Sequence, residues 1–229
     1  MVARSQVTPL GSDLLKRLED KSITKWELAK AVEKDFRLLP SLINGVSSPK
    51  ATIRYGCSSV LLDLSQSHPE KLYPYFNHFA ELLGGKYRIL TWNATAILAN
   101  LSSVDVDDRF ESIFDKYFGL IEDGYMVTVA NVVGNSGKIA LAKPHLTEKI
   151  VDEILRVDGI PVTPHLSEEC RRVIAEKAIE TFDSFCSQIK DRDRVLDFAS
   201  NYLDSPRSSL RIIAGKFIAK WGSHAPVHD

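Results

Sequence analysis

Cysteine is scarce in this chain of 229 residues: three occur, Cys57, Cys170 and Cys186, widely spaced and with no C-x-x-C pair. An odd count at such spacing argues against a disulfide framework and for small buried thiols in a reducing compartment. Charge of one sign is lacking too, with 29 Lys+Arg against 30 Asp+Glu and a formal net charge of -1. No global field then attracts a polyanion, and nucleic acid or a membrane surface would need a local basic patch. The N-terminal stretch MVARSQVTPLGSDLLKRLEDKS holds no apolar segment of signal-peptide length, and no apolar run elsewhere approaches a membrane span. A cytoplasmic protein without membrane contact is the expectation. Neither G-x-S-x-G, H-E-x-x-H nor a dinucleotide fingerprint is present, so no catalytic residue, cofactor or metal is expected.

What is present is repetition. IRYGCSSVLLDLS (53–65) aligns with LTWNATAILANLS (90–102), apolar residues coinciding at Ile53/Leu90, Val60/Ile97, Leu61/Leu98 and Leu64/Leu101. Small residues coincide at Cys57/Ala94, Ser58/Thr95 and Ser59/Ala96, and VTVANVVGNSGK (127–138) is a looser third copy. A distant echo joins SPKATIR (48–54) to SPRSSLR (205–211), where Ser suits an N-cap and Pro the first helical position. ECRRVIAEKAIETFDSF (169–185) supplies a fourth such helix, after RVDGIPVTPHLS (156–167), an insertion punctuated by Gly and Pro. An amphipathic segment precedes each: 36–46, 71–83, 109–121, 146–157 and 193–203. Pro74 falls in the first turn of the second of these. The turns SSPK, GGK and EDG join the members of a pair. No segment alternates strictly over a strand's length, so the chain reads as all-α.

Helix pairs at this period predict an α-solenoid, since one pair cannot bury its stripe alone and stacked pairs share a core. Here the chain resembles the HEAT and armadillo repeat families. The resemblance rests on Ile53-Arg54 and Leu210-Arg211 at the start of the second helix, followed by Gly56-Cys57-Ser58 and Ala214-Gly215. It implies a right-handed superhelix of about five helix pairs, in which the small residues let paired helices approach closely. It covers roughly 36–222 and departs at 127–138, where Thr128 replaces the arginine, and at the insertion. Residues 1–35 read as an N-terminal helical cap in one solenoid domain with 36–222, and SHAPVHD (223–229) as a frayed tail. Thr24 and Glu27 have capping-box spacing, with Ile23 and Leu28 placed as its hydrophobic staple. A helix-turn-helix reading of 22–46 fails because FRLLPSLINGV is apolar and contains Pro40, where a base-reading helix is polar.

The resemblance further implies a non-catalytic module whose second helices hold a protein or peptide on a concave face. Arg54, Thr91, Trp92, Asn93, Thr128, Asn131, Asn135 and Lys138 are the candidates to line it. Arg54 offers a bidentate pair for a carboxylate and the amides offer hydrogen bonds to a backbone. Asn93 and Asn100 also form N-x-[ST] triplets, but Leu90, Ala94, Ile97, Leu98 and Leu101 mark their segment as a helix. Those two amides either bridge neighbouring repeats or line the groove. Nucleic-acid binding of a DNA-glycosylase-like kind is the alternative function, and a lyase or small-molecule binder with a deep pocket the third. PHLTEK (144–149) and PHLSEE (164–169) bring His145, His165, Glu168 and Cys170 to notice as metal ligands. Helix capping by Thr147 and Ser167, with Leu146 and Leu166 before them, explains the same letters without a metal. The acid pairs Asp107-Asp108 and Glu168-Glu169 fit helix starts, and Gly134 and Gly137 fit close packing better than a phosphate loop.

Overall fold

Each segment with apolar residues at helical spacing is helical in the structure, a computed structural model that describes residues 9–222. The first eight residues and the tail 223–229 lie outside the described residues. Contacts divide the chain into two compact units, one ending at Ile113 and one beginning at Phe114.

The first unit opens with α1 (Pro9–Glu19) and α2 (Lys25–Lys34). Thr24 and Glu27 form the expected capping box, Glu27 N–H donating to Thr24 Oγ1 at 3.1 Å and Thr24 N–H to Glu27 Oε2 at 2.8 Å. Ile23 and Leu28 on either side of it are buried. The segment 36–46 is a 3-10 turn, Phe36–Leu38, running into α3 (Leu39–Gly45), with Pro40 at the helix start where its missing N–H costs little. Next come α4 (Ala51–Ser67), α5 (Pro69–Leu72) and α6 (Phe76–Glu81), then α7 (Arg88–Leu101). The single helix expected over 71–83 is therefore broken, because Pro74 lies in a 3-10 turn, Tyr73–Tyr75, between two short helices. The unit ends within α8 (Arg109–Phe118). The carboxylate of Asp105 receives the first N–H groups of α8, from Arg109 and Phe110 at 2.9 Å each, and the Tyr73 hydroxyl at 2.6 Å. Asp107 and Asp108 flank that start, but the cap is Asp105.

The second unit contains α9 (Met126–Ala142), α10 (Thr147–Leu155), α11 (Glu168–Phe185), α12 (Arg192–Ser200) and α13 (Ser208–Trp221). Ser167 caps α11 as expected, accepting Cys170 N–H at 3.3 Å. Thr147 does not cap α10. Pro144–Leu146 is already a 3-10 turn, so Thr147 is the first residue of the helix, buried, its hydroxyl donating to Gln188 Oε1 at 3.3 Å. Five long second helices thus begin at residues 51, 88, 126, 168 and 208, each preceded by a shorter partner. Among the described residues there is no strand, only an isolated antiparallel bridge between Thr163 and Leu166.

Second helices pack on second helices: α4 on α7 in the first unit, α9 on α11 and α11 on α13 in the second. Glycine sets the approach at the tightest places. A Cβ on Gly56 would lie 2.8 Å from Leu18 Cδ2, and one on Gly137 would lie 2.4 Å from Ser184 Oγ. At Gly134 the methylenes of Lys177 would be met at 3.0 Å. Gly215 is different, with nothing within 4 Å among the described residues, so only Ala214 of that pair is packed. Gly84 and Gly124 serve the turns GGK and EDG, both with positive φ, 72° and 76°.

Candidate functional site

Three of the residues expected to line a concave face are instead buried: Arg54, Thr91 and Thr128, at 6, 4 and 1% exposure. At Arg54 and Thr91 the shared position ties the start of a second helix to the loop before it. Arg54 Nη1 donates to the carbonyls of Ser48 (2.8 Å) and Pro49 (3.2 Å), and Thr91 Oγ1 donates to that of Leu82 (2.9 Å). The SPKATIR and SPRSSLR echo is the same device twice. Ser48 Oγ accepts Lys50 N–H and Ser205 Oγ accepts Arg207 N–H, while Arg211 Nη1 donates to Ser205 O at 2.5 Å. The serines close the turn two residues before the helix cap; Lys50 and Arg207, not the serines, are the cap residues. With Nη1 committed to the loop and Nε enclosed, Arg54 cannot present two nitrogens side by side to a carboxylate.

Asn93 is half-buried and its amide donates to Ser58 Oγ at 2.8 Å; Asn100 donates to Ser65 Oγ at 2.8 Å. Both amides therefore bridge α7 to α4, and Asn93 leaves the list of groove donors. Asn131 and Asn135, also half-buried, turn their Nδ2 groups back onto Val127 O and Asn131 O in their own helix, 2.8 Å each. Trp92 is half-buried, and Lys138 is solvent-exposed with its pKa lowered by desolvation from neighbouring side chains. His165 stacks on Tyr125, ring centroids 4.4 Å apart and nearly parallel at 12°. Capping by Ser167 accounts for Cys170, whose thiol accepts from the same hydroxyl.

A concavity of the second unit is made by the insertion, a cavity of about 560 Å³. Its floor is Ile121 and Ile160, both buried, with Pro161 and the glycines 124 and 159 at its sides. The insertion is not a slack loop. It begins as a 3-10 turn, Arg156–Gly159, and closes on itself through Thr163 N–H to Leu166 O (3.0 Å) and Leu166 N–H to Thr163 O (3.1 Å). Thr163 Oγ1 then donates to Gly124 O at 3.0 Å, tying the insertion to the EDG turn one repeat earlier. Asp158 is held from two sides, its carbonyl by Arg171 Nη2 (2.7 Å) and its carboxylate by the Tyr202 hydroxyl (2.7 Å). Burial, and then that hydrogen bond, push the Tyr202 phenol far up, so it stays a donor. At the rim Arg156 bonds Glu153 and Glu122 together, and those carboxylates, Glu153 first, raise its pKa above the ordinary value despite some desolvation. Val162 stands beside the rim 52% exposed. An apolar floor beside a mixed-charge rim suits one or two aliphatic side chains carried on a polar backbone.

The insertion was visible in the sequence as a lengthened step with Gly and Pro. Its other wall, Ile121 with the EDG turn, reads in the sequence only as a helix end and a connector, with no signal that it meets the insertion.

Over 94% of this chain and 96% of the other, the structure matches a designed armadillo repeat protein, with a TM-score of 0.60 at 15% identity. The fold is that of an armadillo-type helical repeat. A second engineered protein matches this armadillo-type chain over 91% of its length with a TM-score of 0.55 at 14% identity, 87% of that protein being covered. No family model and no curated protein sequence matches the chain. At such identities the likeness is one of fold.

Proposed function

We propose that this armadillo-type chain is a non-catalytic scaffold that holds a protein or peptide partner. The observation that supports this most is the cavity beneath the insertion, whose volume of about 560 Å³ falls within the range of about 300–1,000 Å³ typical of ligand sites. An extended segment seats an aliphatic side chain on Ile121 and Ile160, while Glu122 and Arg156 meet its backbone and charges at the rim. The remaining surface candidates, Trp92, Asn131, Asn135 and Lys138, belong to the reading as further contacts. A reducing compartment such as the cytoplasm agrees with three free cysteines, two of them buried. Burial pushes the Cys57 thiol up to about 12, which makes it a packing residue and a poor nucleophile. No helix among the described residues is long and apolar enough to cross a membrane.

The test is selection of peptides from a display library against the whole chain, followed by affinity measurements on Gly159→Asp, a lining position where a Cβ meets nothing within 4 Å, and, as a control outside this cavity, Lys216→Ala. The reading requires that Gly159→Asp weaken the selected peptides about tenfold or more, the cost of bringing an unpaired charge to an apolar lining, and that Lys216→Ala leave them unchanged. Equal affinity for all three proteins removes the cavity from the function. A small-molecule ligand is the second reading, because the same cavity is large enough for one. It is distinguished by a metabolite that raises the melting temperature of the chain but not of Gly159→Asp, when the library yields no peptide. Nucleic acid would declare itself by binding that collapses between low and moderate salt.

A further inference from the structure

Arg54 and Arg211 perform the same local task in very different surroundings. Each donates Nη1 to the serine carbonyl six residues earlier. Arg211 is exposed, so water serves its remaining donors; Arg54 is 6% exposed. A guanidinium carries five N–H donors, and at Arg54 only Nη1 has acceptors among the described residues. Nε is enclosed without a partner. Nη2 has no protein hydrogen bond either and, unlike Nε, is not sealed from solvent. Arg54 makes no ion pair among the described residues. Its charge is met by the rings of Tyr87, 3.9 Å from Cζ, and Tyr55, 4.7 Å. Ring quadrupoles offset part of the cost of burying a cation, but they accept no in-plane N–H.

The surroundings are electropositive. Arg54 is in the first turn of α4, and Tyr87, the ring it lies over, is the cap residue of α7, so two long helices direct their N-termini to this place. Neither N-terminus is closed by a side-chain cap. Lys86 Nζ lies 5.5 Å from the centre of the Tyr87 ring and has no carboxylate partner among the described residues. Lys50, the α4 cap residue, is paired with Glu19. A buried cation with stranded donors, two open helix N-termini and an unpaired lysine share one edge of the α4–α7 pair.

We propose that this edge binds a phosphate-type oxyanion, with Arg54 Nη2 as the central donor, Lys86 as the second charge and first-turn N–H groups of α4 and α7 completing the shell. The site lies in the first unit and is independent of the cavity beneath the insertion. Free phosphate and the phosphate of a modified side chain share this chemistry, and Tyr55 and Tyr87 favour one borne on an aromatic or aliphatic stem.

The experiment is an amide-resolved NMR titration of the whole chain with inorganic phosphate and with phenyl phosphate, at ionic strength held constant with chloride. Saturable shifts centred on residues 51–54 and 88–90, which chloride does not reproduce, are expected. Lys86→Ala, an exposed change that leaves the fold intact, weakens them about threefold, the size of one exposed charge interaction. Arg54→Gln abolishes them; because that change also loosens the loop clamp, Lys86→Ala is the variant that decides. Tighter binding of phenyl phosphate supports a phosphorylated residue as the source, and equal binding supports the free ion. Shifts that chloride matches, or that Lys86→Ala leaves unaltered, overturn the site.

Discussion

Gly137 offers a quantitative test of how closely α9 and α11 approach. Replacing a helix-interior glycine by alanine ordinarily stabilises by about 0.5–1 kcal/mol, because the unfolded chain loses freedom. Here the new Cβ would lie 2.4 Å from Ser184 Oγ, while Thr181 Cγ2 at 3.5 Å and Ser184 Cβ at 3.7 Å are ordinary contacts. Only the hydroxyl must move, and moving it breaks its 2.6 Å bond to Thr181 O, at a cost of about 1 kcal/mol. The two effects nearly cancel, so Gly137→Ala should change stability by less than about 0.5 kcal/mol. With Ser184→Ala already present the obstacle is gone, and the same substitution should stabilise by about 0.5–1 kcal/mol. The measurement is a double-mutant cycle by urea unfolding, and the coupling energy should be about 1 kcal/mol. A loss above about 2 kcal/mol in both backgrounds would mean that backbone, not one hydroxyl, blocks the position, and the reasoning would fail.

Other expectations are simpler. Asn93→Ala should cost about 1 kcal/mol because it strips the donor from the buried Ser58 hydroxyl, and Ser58→Ala added to it should cost little more in the same unfolding assay. Thr163→Val removes both the bond to Gly124 O and the acceptor for His165 N–H; proteolysis within 156–167 should accelerate and selected peptides should bind more weakly. Desolvation lowers the His78 pKa below the ordinary imidazole value of 6.5, Glu81 opposing it only in part, and Nε2 has no partner among the described residues. The unfolded chain then takes up the proton first, so this contribution is complete above pH 6.5 and is lost as pH falls through the folded value. His78→Gln should flatten the melting temperature between pH 7 and 5, and an unchanged slope would assign it elsewhere.

The architecture was legible because its determinants are periodic. Leu90, Ala94, Ile97, Leu98 and Leu101 announce a buried helical stripe, and in α7 they are at most 4% exposed. Caps set by neighbours in sequence, such as Thr24 with Glu27, were equally readable. Less was legible where a side chain's role depends on a distant partner. Nothing adjacent to Asp105 in the sequence reveals that Tyr73 and the start of α8 meet on its carboxylate. The groove candidates suffered from helix phase: Arg54, Thr91 and Thr128 share one position, and that position is buried, so one misjudgement affected all three. The cavity needed the EDG turn and the insertion together, and hydrophobic periodicity carries no signal for two turns that meet one repeat apart.

The paired amides and hydroxyls between α7 and α4 have a polarity of their own. Donors sit on the later helix, at Asn93 and Asn100, and acceptors on the earlier one, at Ser58 and Ser65. The residues of α4 that correspond to those donors are Gly56 and Asp63, and neither carries an amide to give. A helix like α4 is therefore able to precede a neighbour of this kind but not to follow one. Two α4 surfaces brought together would set Ser58 against Gly56, with no side chain to meet its hydroxyl, and Ser65 against Asp63, which would have to draw that hydroxyl off Leu62 O. The order of the first repeats is thus favoured by which helix carries the amides, and a self-paired array of α4 forgoes both inter-helix amide bonds before any shape is compared.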